Sequence, residues 1–138
     1  NFIVYRYADI LLMKAESLSQ LGDYDEALAL INEIRRRALM DDVNAQHTPE
    51  SFEDLILTER AKEFAFEGKR WFDLLRMGRR DNFARKKKLI EIIVQNVPST
   101  QKLVLASKLT DPNGWYLPVS SHELESNSRL VQNPFYAN

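Results

Sequence analysis

The stretch LTERAKEFAFEGKRWFDLLRMGRR, Leu57 to Arg80, decides how this chain is read, because acids and bases stand there inside a run that is otherwise core-like. At about 100° per helical residue, Leu55, Ile56 and Phe66 fall within about 60° of Phe52, and Glu59 and Glu63 land between them. A buried carboxylate without a partner costs several kcal/mol or gives up its charge. Cations must therefore stand nearby, and Arg60, Arg70 and Arg76 are the local supply. The spacing predicts two helices, 49–67 and 69–77, hinged at Gly68. A partly buried ion network of Glu59, Arg60, Glu63, Glu67, Arg70, Asp73 and Arg76 clamps them.

Upstream, apolar residues nearly encircle a helix over 4–21 at Ile10 to Met13, which places that helix between neighbours. Gly22 is its stop. Asp23, with Glu26 three residues on, is the N-cap of a second helix over 24–39, whose stripe is Tyr24, Ala27, Leu28, Ile31 and Ile34. So short a turn makes the pair antiparallel. The hairpin resembles one tetratricopeptide repeat, with Ala15 and Ala27 at the small-residue positions, Gly22 at the turn and Tyr24 as the following aromatic. It departs from that pattern at Ile34, where a small residue is usual, and in lacking a proline near Leu39.

A polar loop over 40–47 leads to Thr48-Pro49, N-cap and first helical residue of the third helix. From Arg76 through Lys88 there are seven cations (Arg76, Arg79, Arg80, Arg85, Lys86, Lys87 and Lys88) against Asp81. A helix over 81–95 carries Leu89, Ile92 and Ile93 until Pro98 breaks the pattern. Beyond it regularity falls away. Leu103 to Leu105 reads as a short extended segment, Asp111-Pro112-Asn113-Gly114 as a turn, Ser120 with Glu123 as a capping box, and 133–136 as an extended tail.

At 138 residues and 44% hydrophobic content the chain is long enough for one domain with a real core. A formal net charge of −1 argues against nucleic acid as the main partner. There is no cysteine, hence no disulfide frame, thiolate metal site or thiol nucleophile. No apolar run reaches the roughly 18 residues of a membrane span. The chain begins at Asn1 and runs almost directly into helical sequence, which reads as an excised piece.

The series ERAKEFAFEGKRWFDLLRMGR (Glu59 to Arg79) closely resembles the signature near the C-terminus of the SusD/RagB family. The flanks agree: RYADILLMKAES from Arg6, GDYDEALALINEIRRRA from Gly22, and the tail from Tyr116 through LVQNPFY at Tyr136. The resemblance implies a mainly α fold of tetratricopeptide-like hairpins with an irregular C-terminal tail. The spacing divides this single domain into a hairpin at 4–39, a charged helix pair at 49–77, a helix at 81–95 and an irregular tail at 96–138, and the resemblance implies that the tail packs back across the helices. It further implies non-catalytic capture of an oligosaccharide or other nutrient at the outer membrane, beside a TonB-dependent transporter of the SusC type. The ligand would be bound mostly by upstream segments, and any lipid anchor would also lie upstream. No cofactor is implied. A helical-repeat adaptor that grips a peptide is the alternative; it accounts for the hairpin but not for the signature or the tail.

Each candidate for chemistry also has a plainer reading. Glu59, Glu63 and Glu67 recur at four-residue spacing, near the separations glycoside hydrolases use. A glycosidase, however, needs one acid held protonated, and neighbouring guanidiniums oppose that, so the ion network is favoured as architecture. His47 and His122 stand in no Glu-x-x-His pair, and no Gly-x-Ser-x-Gly elbow exists. Trp71, Phe72, Trp115 and Tyr116 could stack on sugars. Packing is favoured for all four, with Trp115 and Tyr116 kept as candidate ligand contacts. The basic cluster suits anionic headgroups, an acidic partner or a solvated helix face, and the last is favoured on frequency.

Overall fold

The computed structural model describes residues 4–137, which form seven α-helices and two short 3-10 turns, with no strand among them. The chain resolves into two compact units, Asn1–Leu74 and Leu75–Asn138.

The first unit is built on α1 (Tyr7–Leu21), α2 (Tyr24–Arg37) and α3 (Pro49–Glu63). Gly22 ends α1 at φ +86°, a conformation that costs a residue without Cβ nothing, and the Asp23 N–H then reaches back 2.9 Å to the Leu18 carbonyl. Asp23 occupies the N-cap of α2 without a side-chain hydrogen bond, while Asp25 and Glu26 in the first turn and Arg35, Arg36 and Arg37 in the last complement the helix dipole. Thr48 caps α3 by accepting from the Ser51 N–H at 3.2 Å, and Pro49 opens it. Ala15 and Ala27, both fully buried, line the hairpin core with Leu12, Ile31, Phe52 and Ile56. This is the tetratricopeptide-like arrangement read from the sequence.

Two expectations for this unit fail. α1 is not enclosed on all sides: α2 and α3 are the helices packed on it, so Ala8, Leu11, Leu12 and Ala15 are buried while Tyr7, Ile10, Met13 and Leu21 are exposed. α3 also stops one turn early. Phe64 is its C-cap, Phe66 turns left-handed at φ +66° and stands fully in solvent, and Gly68 follows at φ +72°. The helical wheel that put Phe66 on the apolar face no longer applies after Glu63.

α4 (Arg70–Phe83) begins in the first unit, its later residues belong to the second, and its backbone leaves the helical conformation at Arg80 (φ −59°, ψ 149°). Trp71 is half-buried on it, but Phe72 is exposed, contrary to a core role. The second unit continues with α5 (Lys86–Gln95), α6 (Ser99–Leu109) and α7 (Ser121–Ser126). α6 replaces the extended segment expected at 103–105: Pro98 lies just before its first turn, where a proline does no harm, and the helix runs through the presumed irregular region. The core here is Met77, Leu89, Leu109 and Trp115. Gly78 makes room for it, since a Cβ at that position would stand 2.6 Å from Leu89 Cδ1 and 3.2 Å from the Trp115 ring.

The tail folds back on this second core. Asp111 accepts from the Asn113 N–H at 2.9 Å, opening a 3-10 turn over Pro112–Trp115. Ser120 caps α7. The Gln132 amide brackets the Val119 backbone at 2.8 and 2.9 Å, and Asn133 donates to the Asn113 carbonyl at 2.9 Å. The last residues are a 3-10 turn over Pro134–Tyr136, not an extended strand.

Candidate functional site

The acids of the deciding stretch are held by bases, and most of those bases come from outside α3. Glu59, 4% exposed, accepts from Arg35 Nη1 of α2 at 2.7 Å and from Lys62 at 2.9 Å. Glu63 accepts from Arg6 Nη1 at 2.8 Å and from Arg37 Nη2 at 2.5 Å. Glu67 accepts from Arg6 Nη2 at 2.7 Å and pairs with Lys69 at 3.2 Å. Of the three arginines expected to serve them, Arg60 turns to different acids, Asp73 at 2.8 Å and Asp9 at 3.4 Å. Arg70 donates to the Leu57 carbonyl at 2.7 Å, and Arg76 lies exposed on α4 with interactions of its own. Arg6, Asp9, Arg35, Arg37 and Lys69 were missed because helical spacing reports only neighbours on the same helix.

Phe64 sits at the centre of the cluster. Its ring lies 4.8 Å from the Arg60 guanidinium carbon, 5.0 Å from that of Arg6 and 4.6 Å from Lys69 Nζ. Cations over an aromatic face gain quadrupole attraction and need fewer oxygen partners. Asp9 is almost wholly buried, donated to by Lys69 Nζ and by the Arg6 N–H at 3.1 Å.

Burial pushes the Asp9 carboxyl up, but the Lys69 and Arg6 hydrogen bonds and the Lys69 and Arg60 charges outweigh it, leaving Asp9 below its ordinary 3.8. Glu67 is lowered by its Arg6 hydrogen bond against the opposing effect of burial. A carboxylate whose folded value is depressed contributes stability above its unfolded value and loses it as pH falls through the folded one. Urea unfolding of the intact protein should therefore show a steady midpoint from neutrality down to about pH 4 and a fall below it. Asp9→Asn should flatten that fall; an unchanged slope would remove Asp9 from the account.

The aromatic candidates separate. Trp115, 2% exposed, has its indole N–H donating to the Leu109 carbonyl at 2.9 Å and meets Phe83 edge-on with ring centroids 5.6 Å apart. It offers no face to a ligand, which corrects its candidacy. Tyr116 is 40% exposed, with the Arg79 guanidinium 5.7 Å from its ring. A groove of about 310 Å³ along α6 is lined by Thr100, Gln101, Val104, Leu105 and Lys108. Among the described residues no cluster of His, Cys, Asp and Glu has the form of a metal site, and no helix is long and apolar enough to cross a membrane.

The model of the SusD family matches residues 1–136. The chain belongs to the SusD family. A SusD superfamily protein of solved structure from Bacteroides vulgatus is 30% identical, with a TM-score of 0.77 over 96% of this chain and 27% of its own. SusD-like protein P38 of Formosa agariphila is 45% identical over 55% of this chain, and SusD-like protein P2 of the same organism 33% identical over 56%. The chain spans 17% of the length of each of those two relatives.

Proposed function

We propose that this chain is the C-terminal scaffold portion of a SusD-type protein that captures a glycan or other nutrient at the outer membrane without covalent change. It hands that nutrient to a TonB-dependent transporter of the SusC type. The lipid anchor and most ligand contacts lie upstream in this reading. The family match across residues 1–136 is the observation that carries it.

The scaffold role is supported by the occupancy of the acids. Glu59, Glu63 and Glu67 each accept from two cations, which leaves them braced against helices and not aimed at a substrate. An acid catalyst would need a proton and access; these carboxylates have guanidiniums instead. The ion network and Tyr116 are accordingly given architectural and peripheral roles.

The test uses the full-length protein in a glycan array, calorimetric titration of the ligand found there, and co-purification with a TonB-dependent transporter of the SusC type from the source cell. Glu63→Leu should cost about 2 kcal/mol of stability. That figure is modest because Arg6 and Arg37 are partly solvated and keep water as a partner. Affinity in the folded fraction should not change. Loss of affinity at full folding would make Glu63 a binding residue, and glycan hydrolysis abolished by Glu63→Gln would make the protein an enzyme.

A further inference from the structure

Charge is divided unevenly between the two units. The first carries nine Lys or Arg against 15 Asp or Glu, a net −6; the second carries ten against five, a net +5. Seven of those ten cations fall between Arg76 and Lys88, with Asp81 the one acid among them. Arg76, Arg80, Arg85 and Lys88 also have interactions within the protein.

This run does not serve α5. Lys86, Lys87 and Lys88 form its first turn, where the helix dipole favours acids, and no acid stands there. The backbone is also unusual at this point. Asp81, Asn82 and Phe83 are left-handed in succession, at φ +50°, +53° and +66°. Asp and Asn visit that region readily; a phenylalanine rarely does, and successive left-handed residues are uncommon. Such strain persists where the surroundings hold it, and it gathers at working surfaces.

Exposed apolar groups share this corner. Phe83, in edge contact with Trp115, is 37% exposed. Tyr116 lies under Arg79, and Leu117 next to it is 87% exposed. Lys86 Nζ donates to the Thr110 carbonyl at 2.9 Å, which ties the start of α5 to the end of α6. Lys87 is exposed.

We propose that this corner, formed by Arg79, Phe83, Lys86, Lys87, Tyr116 and Leu117, docks onto an anionic lipid surface through phosphate-bearing headgroups. Clustered basic residues gain from the negative surface potential, and amphipathic aromatic rings favour the headgroup layer. A soluble polyanion would reward the cations alone; the exposed Leu117 and Phe83 are what a lipid interface adds. The proposal goes beyond nutrient capture and holds or fails without it.

The experiment is vesicle flotation of the full-length protein produced without lipid modification, at low ionic strength. Vesicles of phosphatidylcholine with phosphatidylglycerol should carry the protein, pure phosphatidylcholine should not, and added salt should release it. R79E/K87E should lower vesicle affinity at least about tenfold with unchanged circular dichroism. The exposed single change K87E, expected to cost severalfold, serves if the double variant fails to fold. L117S should weaken binding and leave its salt dependence intact. Free glycerol phosphate should not displace the protein. Absence of flotation, equal flotation of the charge-reversed variants, equal binding to neutral vesicles, or displacement by free glycerol phosphate would each overturn the proposal.

Discussion

Arg60→Leu in the intact protein should lower the unfolding free energy by about 3–5 kcal/mol, the largest single loss within the ion cluster. Arg60 is 5% exposed, and its partners Asp9 and Asp73 are 1% and 2% exposed. Removing the guanidinium takes the 2.8 Å bond from Asp73 and one of the balancing charges from Asp9, in surroundings where water cannot replace them. Glu63 tolerates change better because its arginines reach solvent. Chemical denaturation of Arg60→Leu measures the loss, and Arg60→Leu with Asp73→Asn tests its origin. The double variant should recover part of the stability, since the stranded charge is then gone; strict additivity of the two losses would place the effect in packing against Phe64 and not in charge.

Trp115→Ala should cost about 3–5 kcal/mol in the second unit, by removing the largest side chain of its core and opening a cavity. The ring lies against Gly78, where a Cβ would also meet Leu89, and the indole N–H is spent on the Leu109 carbonyl. Hydrogen exchange should quicken across α5 and α6 while α1 to α3 keep their protection. Trp115→Phe should recover much of the loss because it refills most of the volume. A Trp115→Ala protein of unaltered stability that loses a glycan ligand would return the residue to the binding face.

What was legible in the sequence is what depends on neighbours in the chain. The α1–α2 hairpin follows from Gly22 and the paired alanines, and the start of α3 from Thr48-Pro49; each signal lies within a few residues of its effect. The need for cations beside Glu59 and Glu63 was also legible, since buried acids demand them. Which cations answer was not, because Arg35 and Arg37 approach from α2 and Arg6 from just ahead of α1. Phe66 was misplaced by carrying one helical period across a chain reversal, where Phe66 and Gly68 adopt positive φ, and Phe72 by the general tendency of aromatic side chains to bury. α6 was hidden by Pro98, which looks like an ending when read from α5 and is harmless at the beginning of the next helix.

The pairing of Arg60 with Asp9 joins positions 51 residues apart, and Lys69 meets Asp9 across 60. A ribosome delivers α1 and α2 well before either base exists. Until they emerge, the α1–α2 hairpin has Asp9 without the two cations that answer it in the finished protein. Completion of this ion cluster therefore waits until the chain has reached Lys69.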